Sequence, residues 1–260
     1  MLATVKNLLE TASQSRYGVV ITRCNHSGEV TAALSAAEGK KAPLVLELRP
    51  DPIQTPNLGD YAVWLRKCCE SAPVPVALSA ETAGTEEAVQ AALALGVSSI
   101  SIYEGPERQP LSAGQVCLLA ETIHKAGCTC VGKLGDKTHP VDPEAALTSV
   151  RETGIDCLAA ELTVREGAIL RVDIPRLRAL RDALDADCPI VLHGGFGLTN
   201  AQYNEACTNG VSALNLSKDL WKAGRDRVHA ENWDPFCSSV LAAAETLESL
   251  IVAAGGENRG

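Results

Sequence analysis

Eight short apolar runs, each followed by a stretch of helical periodicity, predict a (β/α)8 barrel. Three observations carry that expectation: the runs number eight, they alternate with helices, and nearly all are apolar throughout. A strand covered by helices on one side and by facing strands on the other has no solvated face, so it reads as an unbroken apolar run. Alternating strands and helices make a parallel sheet, and eight parallel strands are the number that closes. An open, doubly wound sheet is the alternative.

The runs are Tyr17–Thr22, Pro43–Leu48, Val74–Leu78, Ser98–Tyr103, Cys128–Lys133, Asp156–Glu161, Pro189–His193 and Val211–Leu216. Helical patterns fall near 27–39, 57–72, 85–95, 113–126, 143–153, 174–186 and 199–209, with further helix from about 218 to 254. Met1 to Glu10 reads as an amphipathic leading helix, with charges that a signal peptide would not carry there. Thr85 before Glu86 and Glu87 offers a cap and two acids to a first turn, where the helix dipole favours them. Asp142-Pro143 places a cap before a proline at the first helical position. Gly96, Gly127, Gly154 and Gly210 each stand between a helix and the next strand, as helix-ending glycines do. No linker or low-complexity tract interrupts residues 1–260, so one barrel domain is expected, with a C-terminal helical extension from about 218.

The composition narrows function. A net charge of −9 and 3% aromatic residues argue against nucleic acid as a partner. No apolar run approaches the roughly 18 residues of a membrane span, so a cytoplasmic protein acting on a small molecule is expected. Ten cysteines include the adjacent Cys68-Cys69 and no Cys-x-x-Cys pair, and most others sit in or beside apolar runs. They read as reduced thiols rather than as disulfides or a zinc cluster.

In a (β/α)8 barrel the chemistry sits at the carboxyl ends of the strands. Polar residues gather at those ends here: Arg23, Glu47, Arg49, Glu81, Lys133, Glu161, Arg165, His193, Asn215, Ser217 and Lys218. The turn His193-Gly194-Gly195-Phe196-Gly197 runs into Thr199-Asn200, a helix start. Glycines let a ligand approach bare backbone, and the free N–H groups of a helix N-terminus suit an anion such as phosphate.

Four segments resemble, in order and spacing, the class II fructose-bisphosphate aldolases: Asp142-Pro-Glu-Ala-Ala, Thr153-Gly-Ile-Asp-Cys-Leu-Ala-Ala, Val191-Leu-His-Gly-Gly-Phe-Gly and Gly210-Val-Ser-Ala-Leu-Asn-Leu-Ser-Lys-Asp-Leu220. The first half is similar more faintly. The resemblance implies a zinc-dependent barrel that makes or cleaves a carbon–carbon bond next to a ketose phosphate, assembled as a homodimer or a larger homo-oligomer.

The departures from that pattern set the chemical expectation. Where the family's third strand ends in Leu-Asp-His-Gly, with an acid/base Asp and a zinc-binding His, this chain has Ala80-Glu81-Thr82. The second zinc histidine has no counterpart in Leu162-Thr163-Val164-Arg165-Glu166-Gly167, so His193 alone remains of three. The family's fifth-strand Ala-Glu-Leu-Gly is Gly132-Lys133-Leu134-Gly135, its phosphate-binding Ser is Phe196, and its loop after strand five is shortened to Asp136–Pro140. One histidine with a guanidinium beside it does not hold zinc well, so neither a metal nor another cofactor is expected.

An aldolase without zinc needs another electron sink, and a lysine that condenses with a carbonyl to an iminium supplies one. Lys133 is the expected nucleophile, with Glu81 or His193 moving the proton. Arg49, Arg165, Lys218, Asn215, Ser217 and the glycines Gly194, Gly195 and Gly197 are the expected substrate-binding groups. Two alternatives stay open: a metal-free isomerase or other acid/base enzyme on a sugar phosphate, and a non-catalytic aldolase-like subunit.

Overall fold

The computed structural model describes residues 1–49, 57–104, 110–134, 141–167, 169–184, 188–216, 218–220, 222–223, 226 and 235–260. In chain order the elements are β1 (Leu2–Ala3), α1 (Val5–Ser15), β2 (Val19–Arg23), α2 (Ser27–Lys40), β3 (Leu44–Leu48), α3 (Leu58–Ser71), β4 (Val76–Ala83), α4 (Glu86–Ala94), β5 (Ser99–Glu104) and α5 (Ala113–Lys125). They continue with β6 (Thr129–Leu134), α6 (Pro143–Thr153), β7 (Cys157–Glu161), β8 (Thr163–Glu166), β9 (Ile169–Val172), α7 (Ile174–Ala183), β10 (Ile190–His193), α8 (Asn200–Thr208), β11 (Val211–Asn215) and α9 (Pro235–Ala253). Eight parallel strands pair in the cyclic order β4-β3-β2-β11-β10-β7-β6-β5, and β5 pairs back onto β4. This closed sheet with its alternating helices is the predicted (β/α)8 barrel.

Residue parity sorts the side chains into two layers, as the two-residue period of a strand requires. Even-numbered residues such as Leu44, Leu46, Leu78, Ile100, Leu158, Ile190 and Leu214 pack outward against the helices in the large core cluster. Odd-numbered residues Val19, Ile21, Val45, Ala77, Val131, Ala159, Val191 and Ala213 fill the barrel interior. Val5, Leu8, Leu9 and Ala12 of α1 join that inner cluster and stop the amino end of the barrel. Each aliphatic side chain buried this way stabilises the fold by about 1.5–3 kcal/mol relative to exposure.

The predicted caps are in place. The side chains of Thr85, Asp142 and Thr199 accept from Ala88, Ala145 and Gln202 at the starts of α4, α6 and α8. Gly96, Gly127, Gly154 and Gly210 all carry positive φ. Three features depart from the sequence expectation. Leu2–Ala3 is a short strand parallel to β4, so the leading helix starts only at Val5. The stretch between the seventh apolar run's predecessor, ending at Glu161, and α7 is the antiparallel hairpin β8–β9, not plain loop. The expected helix 174–186 ends at Ala183, with the N–H of Leu184 donating to Leu180 O. The nine cysteines whose side chains are described are free thiols.

Candidate active site

Carried to the carboxyl end of the barrel, the same parity puts one polar side chain from every barrel strand on the inner face. They are Arg23 on β2, Glu47 on β3, Glu81 on β4, Ser101 on β5, Lys133 on β6, Glu161 on β7, His193 on β10 and Asn215 on β11. A barrel held only by packing has no need for such a ring, because each unpartnered polar group would cost free energy. The ring divides into two halves by strand order.

The half on β2, β3 and β4 is a network around two carboxyl groups. Glu47 is 1% exposed. The Ser101 hydroxyl donates to Glu47 Oε1 at 3.0 Å, and Asn215 Nδ2 donates to Oε2 at 3.1 Å. Burial, reinforced by the charge of Glu81, pushes the Glu47 carboxyl up to about 7, while the two hydrogen bonds and Arg23 pull it down. Glu81 is gripped instead by cations, Arg23 at 3.7 Å and Arg49 at 3.6 Å. Two neighbouring carboxyls thus sit in unlike surroundings, one buried and hydrogen-bonded, the other paired with guanidiniums. Asn25 Oδ1 accepts from the Arg49 backbone N–H, and Asn25 N donates in turn to Glu29. His26 caps α2 in a capping box with Glu29, which accounts for that rim histidine structurally.

The other half lies on the adjacent strands β6, β7 and β10. Lys133 is partly buried and pairs in register with Ala159. His193 is in register with Glu161. Glu161 is 5% exposed, and Thr163 Oγ1 donates to its Oε1 at 2.8 Å. The carboxylate lies against Gly194, where φ is +81° and an added methyl group would overlap both its oxygens. Beyond it, Gly197 N–H donates to Asp219 Oδ1 at 3.3 Å, and the Tyr203 hydroxyl donates to Gly195 O at 2.8 Å. Phe196 stands 42% exposed at the crown of that turn.

The remaining expected residues fall further out. Arg165 is exposed on hairpin strand β8, and Lys218 is exposed where helix resumes after β11. Ser217 and the segment Asp136–Pro140 lie outside the described residues, as does the side chain of Glu166. Asn215, expected as a substrate contact, spends its amide N–H on Glu47.

The resemblance implies zinc, and the donor chemistry tests it. Among the described residues no three His, Cys, Asp or Glu side chains are grouped to hold a metal ion. Thr82, standing where the zinc histidine is expected, pairs with Ile102 and is 8% exposed with its hydroxyl unpartnered. Glu81 is held between two guanidiniums, and an ammonium, Lys133, takes the place of an acid. The described side chains do not reproduce the three zinc ligands that the resemblance implies.

The carboxyl end of this (β/α)8 barrel thus carries a ring that mixes carboxyls, a lysine and a histidine. The sequence profile described as fructose-bisphosphate aldolase class-II matches residues 3–254. The chain therefore belongs to the class II fructose-bisphosphate aldolase family, a family of carbon–carbon lyases. It is similar to the protein YdjI of Escherichia coli K12, 22% identical over 255 residues that cover 91% of this chain and 90% of YdjI. It is also similar to the fructose-bisphosphate aldolase of Geobacillus stearothermophilus, 24% identical over 84% of this chain and 81% of that enzyme. In fold it superposes on the crystal structure of the YdjI aldolase with a TM-score of 0.89 at 20% identity, covering 100% of this chain and 99% of the other. No helix among the described residues is long and apolar enough to cross a membrane.

Four ring members carry no role in the sequence expectation. Arg23, Glu47, Ser101 and Glu161 are all visible as polar residues in or at the ends of strands, but only Glu47 carries a distinctive signal, a lone acid inside the run Leu44-Val-Leu-Glu-Leu48.

Proposed function

We propose that this protein is an aldolase-type lyase acting on a phosphorylated or carboxylated keto or sugar substrate, without a metal ion and with Lys133 as a Schiff-base nucleophile. The observation that carries this reading is the position of Lys133 at the mouth end of β6, on the inner face of the barrel and one strand from Glu161. Its amine adds to the substrate carbonyl, and loss of water leaves an iminium. The carbon–carbon bond one atom further on breaks, and its electrons flow into the iminium to give an enamine. The proton of the departing hydroxyl passes to Glu81 or His193, and that fragment leaves as an aldehyde. Protonation of the enamine at carbon and hydrolysis of the iminium return the free amine. Arg49, with Arg165 and Lys218 further out, holds the anionic end of the substrate, and the rim around Asn215, Ser217 and the glycine turn of Gly194, Gly195 and Gly197 completes the binding surface.

The guanidiniums around Glu81 support the metal-free reading, because a cation already neutralises the acid that a metal would need. We also read the functional form as a homo-oligomer, for which exposed Val63 and Trp64 on α3 offer an apolar contact. Borohydride reduction in the presence of a candidate ketone tests the mechanism. A covalent adduct on Lys133 by peptide mass supports it. No adduct with any ketone, together with ligand-induced stabilisation by sugar phosphates, returns the acid/base isomerase, which the buried Glu47 beside a cation-held Glu81 favours.

A further inference from the structure

The turn after β10 is the place where the family resemblance leads one to look for a phosphate. Three features of this chain oppose one there. First, the bare face of Gly194 is already covered: both carboxylate oxygens of Glu161 lie where a methyl on Gly194 would stand. Thr163 Oγ1 donates to that carboxylate at 2.8 Å and holds it against the turn. Second, the Gly197 N–H is spent on Asp219 Oδ1, a donor used whatever the protonation of that acid. Third, Phe196 stands at the crown, where the family has a hydroxyl and this chain has an exposed ring.

A phosphate dianion would meet a fixed carboxylate within a few ångströms, with a backbone donor withdrawn and a benzyl group in place of a hydroxyl. Like charges held that close repel at a protein surface and oppose the helix-terminus attraction. Cationic recognition is available across the mouth instead. Arg49 is 48% exposed and meets Glu81 through Nε, a contact that does not use its terminal fork. A planar carboxylate is what such a fork matches.

We infer that Glu161 closes the glycine turn to phosphate, so that the substrate is an unphosphorylated keto acid or sugar acid whose carboxylate is read on the Arg49 side. The choice of substrate class rests on the lyase reading above; the exclusion of phosphate does not. Pyruvate is the smallest 2-oxo acid that is a ketone, and dihydroxyacetone phosphate is the phosphorylated ketone set against it.

The test has two arms on the full chain. In the first, inorganic phosphate is titrated by 31P NMR into the wild type, Glu161→Gln and Glu161→Ala. Both variants are expected to gain at least about tenfold in phosphate affinity, well within the value of one nearby charge. The Gln variant keeps the shape of the side chain, so a folding defect in the Ala variant does not leave the arm undecided. No gain in Glu161→Gln overturns the inference. In the second, each ketone is offered with borohydride and Lys133 is examined by peptide mass. Trapping of pyruvate but not of dihydroxyacetone phosphate by the wild type is expected, and trapping of the phosphate ester overturns the inference. Absence of both adducts removes the lyase reading alone, and the phosphate titration then still decides whether Glu161 closes the turn.

Discussion

The side-chain amide of Asn215 reaches past β2 to donate to the buried carboxyl of Glu47, 3.1 Å away and 168 residues distant in sequence. β11 and β3 are not neighbours in the sheet; β2 lies between them. The bond therefore ties three strands together at the mouth. It also favours the ionised form of a carboxyl that burial drives toward neutrality.

Glu47 makes stability depend on pH. The ordinary glutamate value is 4.5, and in the fold this group is raised to about 7. Between those values the folded chain holds a proton that the unfolded chain has released. Stability from this group is therefore complete below about 4.5, falls as pH rises to about 7, and is level above. The loss is on the order of 3 kcal/mol. Glu47→Gln removes this dependence, so its stability relative to the wild type improves from pH 5 to pH 8 in urea denaturation. A constant difference across that range contradicts the assignment.

Asn215→Ala takes away a donor to the ionised carboxylate. The Glu47 titration is expected to move above about 7, followed by carboxyl 13C NMR or by the pH midpoint of the stability change. A fall in the midpoint would mean that the amide orients Glu47 in another way.

Gly194 and Gly197 both hold positive φ, +81° and +88°, but differ in surroundings. A methyl at Gly197 meets nothing within 4 Å, so Gly197→Ala costs about 1 kcal/mol of backbone strain. Gly194→Ala also collides with Glu161 and costs about 2–4 kcal/mol. In a Glu161→Ala background the excess should largely vanish, a coupling that a double-mutant cycle of melting curves reads directly.

Burial sets thiol reactivity. Cys69, Cys130 and Cys207 are pushed up to about 12, and Cys24 and Cys157 well above their ordinary 9.0. The thiolate is the form that alkylates. Iodoacetamide at pH 8 should leave these five unmodified in the native protein and label them after denaturation, as counted by intact mass.

Asp156 lies outside the mouth, accepting from Cys130 N–H at 2.8 Å and meeting His124 Nε2 at 2.8 Å. Asp156→Ala is expected to cost about 1–3 kcal/mol of stability while leaving the ketone trapping of Lys133 unchanged, which separates scaffold from chemistry.

The barrel was legible because its strands are covered on both faces, so that Leu44–Leu48 or Cys157–Glu161 stand out against helical periodicity. The hairpin β8–β9 was not, because Thr163–Val172 mixes Arg165, Glu166 and Arg171 with Ile169 and Leu170 on an exposed arm, where no apolar alternation is enforced. Within the site, Lys133, Glu81 and His193 could be picked out one strand at a time. The Glu47 network could not: Ser101 is 54 residues away and Asn215 168, and only closure of the sheet brings them together. The same holds for Glu161 against Gly194, which directly follows Glu161's register partner His193.

Val5, Leu8, Leu9 and Ala12 stop the amino end of the barrel, so among the described residues the polar ring opens at the carboxyl end. For the lyase proposed above, both fragments would leave by that end, the one nearer solvent first, an order of release that the scaffold itself imposes.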